Sequence, residues 1–527
     1  MPAVIALAVA TPVPVAVKAV MPADGQFDIT GLFIADKAAR QASASTLAAV
    51  AQKNGPSAIQ YAGFSAAVLK ALADKKSPAA REGAADAIST ITKSGAVKAL
   101  EPTFIDSGIY AALLEAFADK MPAVRTAAIE AVRGYVAAMN PWATSLILPA
   151  LLREIKTAGK WQVKTGALEI LNQLVKSAPV QTAKLMPEIV PVLSEAIWDT
   201  KADVKKAARD SLTKATALIS NKDIERFIPA LIKALINPVE EVPGTIALLS
   251  ATTFVSEVDS PTLSLMVPLL SRGLSEKLTA TKRKVAVYVE YWIVIWDATN
   301  HITFSIVDNM SKLVDSAVTV RPFIPKLLPG LIKVESSIGD PEARTVVARA
   351  IATLRQVGEV PTGDGSDLPS LKVFDGAGLS QSLSAIYKKL GGVAPAADVS
   401  AAYAAKLAAN LVNNKNFDVP EWDALAPFLG FVASTPDPIS VAREWVVRSA
   451  TEGEEEEVAD DEEEGEDLCN CQFSLAYGAK ILLNTATLRL KRGHRYGLCG
   501  KNGTGKSTLM RAITNGWVYR SSSVIVS

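Results

Sequence analysis

One pattern recurs along the first two thirds of the chain and limits what it can fold into. A basic residue is followed at the third or fourth position, and again at the seventh, by small or apolar residues, which is the spacing of one face of an amphipathic helix. Clear copies begin at Arg81, Arg125, Lys164, Lys205 and Arg344, with weaker ones near Pro243 and Arg283. Successive copies lie 44, 39, 41, 38, 40 and 61 residues apart. The first five spacings predict a stack of helix pairs, each of which buries its apolar face against the next.

Repeats of this length are typical of HEAT-like helix pairs, whose period is roughly 40 to 47 residues. We therefore predict a mostly α-helical protein with a HEAT-repeat α-solenoid over residues 30–365. The composition agrees, because aromatic residues make up only 6% of the chain and small side chains suit contacts between helices. Prolines at a similar phase predict helix first turns, where the missing N–H has no partner to lose. These prolines are Pro149, Pro187, Pro229, Pro268 and Pro325.

The longest spacing contains a segment unlike the repeat around it. Residues 288–305 hold two of the eight Trp and one of the two His residues of the chain. We expect an anomalous insertion that is foreign to the repeat, such as untranslated sequence read through, although a functional loop or a membrane-dipping segment remains open. Glu290, Asp297 and His301 disfavour the membrane, because charged and polar groups are costly there. A transcript that retains the segment would refute the read-through interpretation.

Composition predicts three further regions. Residues 1–29 are apolar and broken by prolines, with Lys18 behind the apolar run, so we expect a disordered N-terminal extension rather than a secretory signal. Residues 370–435 are predicted to form a small four-helix-bundle-like domain. Residues 452–467 hold 12 acidic residues in 16 positions and are predicted to be a solvated acidic linker.

Charge is divided unevenly along the chain, although its formal net charge is only +1. Residues 1–451 carry 46 basic and 42 acidic residues, whereas residues 468–527 carry nine basic and no acidic residues. This asymmetry favours a partner rich in nucleic acid, with ordinary surface lysines as the alternative for the solenoid. Three cysteines in 527 residues indicate a reducing, cytoplasmic compartment. No run of about 20 uncharged apolar residues occurs, so no membrane span is predicted.

The clearest chemical motif is YGLCGKNGTGKSTLM at residues 496–510, which matches the phosphate-loop pattern G-x-x-x-x-G-K-[ST]. Its glycines let backbone N–H groups point at phosphate oxygens, while Lys506 brings positive charge to the β- and γ-phosphates of ATP and Ser507 brings a hydroxyl to Mg²⁺. A strand is expected at 495–499 and a helix at 507–513. A glycine-rich turn without a ligand is the alternative, and it explains Lys506 least well. The predicted ATP-binding residues of the loop are Gly500, Lys501, Asn502, Gly503, Thr504, Gly505, Lys506, Ser507 and Thr508.

Other candidate site residues are few. Tyr477 lies between two strand-like runs, 472–475 and 480–483, where an aromatic ring can stack on adenine or pack at a strand end. Cys469 and Cys471 form a C-x-C pair without a partner cluster, so Mg²⁺ at Ser507 is the only metal that we predict. Neither histidine has an acid–base constellation around it, and no catalytic residue is predicted.

These residues together resemble a known family. DLCNCQFSLAYGAKILLN and LRLKRGHRYGLCGKNGTGKSTLMRAI are similar to the first ATP-binding cassette (ABC) of the elongation factor 3 family, ribosome-associated ATPases of fungi and some algae and protists. EEEGEDLCNC and PFIPKLLPGL resemble the same family, so the similarity covers about residues 30–513.

This resemblance implies HEAT repeats, a four-helix bundle and two cassettes that bind ATP and help release deacylated tRNA from the ribosomal exit site. It implies that Tyr477 stacks on adenine. The ribosome, through its rRNA and proteins, is the implied partner, with other elongation factors as further candidates.

The chain departs from the family after Ile513. The remaining residues, TNGWVYRSSSVIVS, contain no acidic Walker B strand, LSGGQ-like signature or switch histidine, and hydrolysis needs an acid that positions water and Mg²⁺. We therefore expect a truncated chain in which residues 468–527 form an incomplete α/β ABC cassette, poorly ordered alone. Turnover is then expected of the complete protein. A protein-binding scaffold with a vestigial cassette remains an alternative, and a transporter's nucleotide-binding subunit is disfavoured by the long repeat array.

Overall fold

The computed structural model divides into two compact units, residues 1–450 and residues 451–527. Within the described part of the chain, the first unit is built of helices and the second contains three strands. The described residues are 29–250, 259–275, 285, 320–339, 341–358, 360, 363, 365, 374–389, 397–414, 416, 419–429, 467–477, 480–491, 509–511 and 523–526. The predicted N-terminal extension up to residue 28, the insertion at 288–305 and the acidic linker up to residue 466 lie outside them.

The first half of the solenoid begins with a short 3₁₀ helix at Ile29–Leu32. Its α-helices are α1 (Lys37–Asn54), α2 (Pro56–Tyr61), α3 (Phe64–Ala73), α4 (Pro78–Lys93), α5 (Val97–Phe104), α6 (Ile109–Ala116), α7 (Pro122–Ala138), α8 (Thr144–Thr157), α9 (Trp161–Ser177), α10 (Pro179–Lys184), α11 (Met186–Ala196) and α12 (Ala202–Thr216).

Further helices follow along the first unit. They are α13 (Lys222–Glu225), α14 (Ile228–Ile236), α15 (Pro238–Ser250), α16 (Ser260–Leu274), α17 (Ile324–Ser337), α18 (Pro341–Val357), α19 (Ala377–Lys389), α20 (Ala397–Asn413) and α21 (Val419–Asp423). Short 3₁₀ helices lie at Pro141–Ala143, Arg321–Phe323 and Ala426–Phe428.

The predicted helix pairs are confirmed. Each basic residue that begins a clear stripe is the fourth residue of the second helix of a pair, in α4, α7, α9, α12 and α18. Each of these helices packs against its partner, and α4, α7, α9 and α12 also pack in sequence against one another. This nearest-neighbour stacking is that of an α-solenoid, in which a continuous core forms from faces that no repeat could bury alone.

The proline prediction is confirmed at three positions and wrong at two. The prolines that are second in their helices are Pro187, Pro229 and Pro325. Pro149 and Pro268 instead lie inside α8 and α16. The helix around Pro149 begins five residues earlier, at Thr144, directly after the 3₁₀ helix. Burial of Leu148 and Leu151 on either side of the proline stabilises the helix despite the hydrogen bond that proline removes.

Helix α20 lies late in the sequence but packs against helices of the early repeats. It packs against α19, and also against α5 and the 3₁₀ helix at Pro141–Ala143. The described part of the predicted bundle thus holds α19, α20 and α21. The boundaries predicted for the solenoid, bundle and cassette stay predictions.

Candidate functional site

The second unit contains the strands that flank the predicted nucleotide site. Strands β1 (Asp467–Tyr477) and β2 (Lys480–Lys491) pair antiparallel, and β3 (Ser523–Val526) pairs parallel with β1, giving the order β2-β1-β3. The two strand-like runs at 472–475 and 480–483 are confirmed and extend beyond the predicted ends. A parallel neighbour needs a long crossover from its partner strand, and the phosphate-loop sequence lies in the stretch between β2 and β3.

Tyr477 is the last residue of β1. Its backbone pairs with Lys480 across the tight connection to β2 and with Val526 of β3 on the other side. The strand pairing is irregular between Phe473 and Leu475 and again between Leu475 and Ala476. Such irregularities bend and twist a strand locally and are frequent next to functional sites. The adenine-stacking role of Tyr477 stays a prediction.

The phosphate loop itself, Gly500 to Thr508, lies outside the described residues, as does the strand expected at 495–499. The three residues directly after the loop, 509–511, are helical, in agreement with the helix predicted to start at the loop. Leu509 is buried, while Met510 and Arg511 are exposed. The residues directly after the loop therefore form the start of the helix that follows a phosphate loop.

Two searches over the described residues bear on other kinds of site. They contain no group of three or more His, Cys, Asp or Glu side chains that could hold a metal ion. None of their helices is both long enough and apolar enough to cross a membrane.

The solenoid has a continuous edge formed by the turns that join paired helices. We call these four turns, residues 74–77, 117–121, 158–160 and 197–201, the turn edge. Arg81 connects the first two turns: its Nη1 donates to the Asp74 carbonyl at 2.6 Å, and its Nε donates to Asp119 at 2.8 Å. Lys160 of the third turn donates to the Ala118 carbonyl of the second at 3.4 Å. These bonds hold successive turns side by side.

The fourth turn joins the edge through Lys164, whose Nζ donates to Asp199 at 2.8 Å. This bond, together with the backbone N–H of Lys201, holds the pKa of the Asp199 carboxyl below its ordinary value. Partial burial raises the pKa of Asp119, but hydrogen bonds from Arg81 and from the Met121 N–H outweigh it, so this pKa is also lowered. Both aspartates are therefore ionised and paired at neutral pH.

Lysines and large apolar side chains alternate on the exposed side of the turn edge. Lys75, Lys76, Lys120 and Lys201 are exposed, and none of them takes part in an ion pair among the described residues. Three large apolar side chains lie beside them: Met121 is 43% exposed, Trp161 38% and Trp198 54%. Asp119 and Asp199 are already engaged by Arg81 and Lys164. The exposed Asp74 carboxylate accepts hydrogen bonds from the backbone N–H groups of Lys76 and Ser77.

The turn edge was not predicted from the sequence. The available signal was an aspartate followed closely by lysine, as in Asp74–Lys75–Lys76 and Asp119–Lys120, at the same phase of successive repeats. The helix stripes alone do not reveal it, because they report which face of a helix is buried rather than what the connecting turns expose.

Comparison with known proteins agrees with this fold. The family described as "EF3 N-terminal HEAT repeat" matches residues 40–212, and "Elongation factor 3/GNC1 HEAT repeat" matches 240–293 and 296–364. The family "ABC transporter" matches residues 483–526.

Individual relatives give the same result. "Elongation factor 3" of Mycosarcoma maydis is 55% identical over 88% of this chain and 42% of its own length. "Elongation factor 3B" of Saccharomyces cerevisiae is 46% identical over 75% of this chain and 36% of its own. The chain thus spans about two fifths of the length of these curated relatives. Among solved structures, Kap121p aligns over 78% of this chain and 51% of its own at 14% identity, with a TM-score of 0.28 that supports no inference.

Proposed function

Because the chain belongs to the elongation factor 3 family, we propose that it acts in translation elongation as a cytoplasmic, ribosome-associated protein that binds ATP. The observation that carries the proposal is 55% identity over 470 residues to an elongation factor 3. The two repeat families and the ABC family that match this chain support it. In the complete ABC ATPase, nucleotide binding and hydrolysis would be coupled to release of deacylated tRNA from the ribosomal exit site. Turnover in the complete ATPase would require a Walker B acid and a signature sequence in addition to the phosphate loop.

The nucleotide site would be built by the stretch between β2 and the helical residues 509–511. The backbone N–H groups of Gly500 to Gly505 would hold the phosphates, the Lys506 ammonium would pair with the β- and γ-phosphates, and Ser507 would ligate Mg²⁺. Tyr477 would stack on the adenine. When bound, Mg²⁺ would neutralise phosphate charge.

Lys506→Ala tests this site, with Lys491→Ala at the end of β2 as the matched control. Equilibrium dialysis of radiolabelled ATP with Mg²⁺ against the full chain measures the dissociation constant directly. We expect at least a 100-fold loss of affinity for Lys506→Ala, about 3 kcal/mol, and less than a twofold change for Lys491→Ala. Equal affinity of wild type and Lys506→Ala would refute the phosphate-loop assignment.

The ribosome contact would be made by the turn edge. Several exposed lysines in a row suit the phosphates of rRNA, since cations on a protein displace the counterions that phosphates hold. Trp161 and Trp198 would add stacking on unpaired bases, an interaction of about 1 to 3 kcal/mol per base. Asp119 and Asp199 are paired with Arg81 and Lys164, which leaves Asp74 as the one turn-edge aspartate beside the four exposed lysines, so positive charge is in excess there.

A charge-reversal pair of variants tests this surface by ribosome pelleting. Lys76, Lys120 and Lys201 are changed to Glu in one variant. The matched control reverses three exposed lysines near the C-terminal ends of α1, α4 and α9, namely Lys53, Lys93 and Lys176. Both variants change the charge by the same amount. We expect only the turn-edge variant to lose binding, with the slope of log K against log salt falling by about three. Equal loss in both variants would contradict a specific surface.

The same pelleting experiment also tests the alternative that the solenoid is a protein-binding scaffold. If Trp198→Ala abolishes pelleting at every salt concentration while the lysine reversals do not, the turn edge binds a protein through apolar contact. That result would replace the rRNA contact with a protein contact.

A further inference from the structure

Glu101 of α5 is a charged side chain with no exposed surface. Its Oε1 accepts a hydrogen bond from Lys98 Nζ at 3.0 Å. Its Oε2 accepts two, from the Asn140 N–H at 3.2 Å and from the Tyr403 hydroxyl at 2.6 Å. A buried carboxylate is tolerated only when donors surround it, and here three of them do.

The tyrosine is the unusual donor, because it lies 302 residues from Glu101 in the sequence. In a solenoid each repeat contacts only its neighbours, so that the stack can bend. The bond from α20 to α5 is not such a contact, and it closes residues 102–402 into one large loop. The ring of Tyr403 also packs edge-on against Phe428, with 4.9 Å between ring centroids.

More polar contacts surround this bond. The indole N–H of Trp142 donates to Glu421 at 2.7 Å, and Asn410 Nδ2 donates to the Trp142 carbonyl at 2.9 Å. At the rim, Lys406 Nζ lies 2.7 Å from an Asp106 oxygen, with both side chains partly exposed. A cavity of about 190 Å³ lies beside these groups, lined by residues of α5, α8 and α20 and the turn after α5.

We propose that α20 and α21 form a latch on α5 and on the 3₁₀ helix at Pro141–Ala143 with its N-cap Asn140. This latch opens and closes as one unit and restrains bending of the repeats that lie between α5 and α20. The polar contacts of the latch lie next to the cavity, which leaves room for them to part. Buried apolar residues of α20, such as Leu407 and Leu411, belong to the same hydrophobic core as the solenoid. The latch is also cooperative: loss of any donor leaves the Glu101 charge less satisfied and weakens the other bonds. The proposal is independent of ATP and of the ribosome.

Tyr403→Phe tests the latch, because it removes one hydroxyl and keeps the ring against Phe428. The matched control is Tyr110→Phe, a buried tyrosine whose hydroxyl donates within the solenoid to the Ile147 carbonyl at 3.4 Å. Amide hydrogen exchange on the full chain reports opening. A hydrogen bond to a charged group predicts roughly 10- to 100-fold faster exchange of α5 and α20 together in Tyr403→Phe. In Tyr110→Phe, α20 should exchange at the wild-type rate.

Carbodiimide cross-linking gives a second readout without further mutation. It joins the Lys406 amine to the Asp106 carboxyl only when the latch is closed, and the Lys164–Asp199 pair at 2.8 Å inside the solenoid serves as the internal reference. We expect the first product to fall in Tyr403→Phe and the second to stay constant. Faster exchange of α20 alone, or an unchanged Lys406–Asp106 product, would overturn the latch. If Tyr403→Phe does not fold, Asn410→Ala replaces it, because it removes only the hydrogen bond to the Trp142 carbonyl. The same changes in hydrogen exchange and cross-linking are then expected.

The restraint on bending is tested by forcing the latch open. Glu101→Lys places a second ammonium beside Lys98 and removes the shared acceptor. Small-angle scattering should then give a larger maximum dimension, with the Lys164–Asp199 cross-link retained as evidence that the repeats are folded. Loss of the Lys406–Asp106 product with an unchanged scattering profile would show that the latch does not restrain the repeats.

Discussion

The bond between Arg81 and Asp119 should be among the strongest single contacts between neighbouring repeats. The pair is nearly enclosed, with 9% and 13% of the side chains exposed, and it is bidentate at 2.8 and 3.1 Å. Exposed pairs contribute about 0 to 1 kcal/mol, whereas breaking a fully buried pair costs about 3 to 5 kcal/mol. In Asp119→Asn the Arg81 guanidinium keeps the Asp74 carbonyl, so we expect a loss of about 2 kcal/mol, between these limits.

Native-state hydrogen exchange is the suitable assay, because repeats open locally and a single unfolding transition is not expected of a solenoid. A loss of about 2 kcal/mol corresponds to roughly 30-fold faster exchange of α4 and α7. Asp210→Asn is the control: its partner Lys214 is one turn away on the same helix, both side chains are about half exposed, and the expected loss is below about 0.5 kcal/mol.

The pH dependence provides a further check. The folded-state pKa of Asp119 is lowered, so its stabilisation is complete above the unfolded pKa of about 3.9 and is lost as pH falls through the folded value. The difference between wild type and Asp119→Asn should therefore be constant from pH 5 to 7 and shrink below about pH 4. A difference under 0.5 kcal/mol at pH 7, or one that is still present in full at low pH, would refute this reasoning.

Two glycines give further predictions. A Cβ at Gly166 of α9 would lie 2.5 Å from Phe117 Cδ2, so Gly166→Ala should destabilise α9 by about 1 to 3 kcal/mol, measured as faster hydrogen exchange of α9. Phe117→Leu in the same chain should recover part of this loss, and a wild-type exchange rate of α9 in Gly166→Ala would contradict the packing. Gly376 has φ +73° and a position where a Cβ would meet the Ala405 carbonyl at 2.5 Å. Gly376→Ala should therefore accelerate amide hydrogen exchange in α19 more than in α9, relative to wild type. Equal acceleration of the two helices would show that this close approach is absent.

The helices were predictable from the sequence because the spacing of small and apolar residues directly indicates which face of each helix is buried. The fourth position of α4, α7, α9 and α12 carries the basic residue in every case. In α4, α7 and α9 that residue binds the turn before its own helix or the turn of the next repeat. Pro149 misled the prediction because a local rule about first turns was overridden by the packing of Leu148 and Leu151 on both sides.

The latch was not predictable from the sequence. Nothing around Glu101 marks it as buried, and the partner that makes burial tolerable is 302 residues away. Long-range polar contacts leave no periodic signal, because each depends on where two distant elements meet. The phosphate loop is the opposite case: its pattern is entirely local, so the sequence alone is enough to predict it.

The central claim is that this chain binds the ribosome through a solenoid surface. Its most direct test is a pelleting isotherm of the unmodified chain with purified ribosomes, measured at several salt concentrations from about 50 mM to 200 mM, where phosphate contacts weaken steeply. We predict saturable binding at the lowest salt that weakens continuously as salt rises. A chain that stays in the supernatant at about 50 mM salt would contradict the claim.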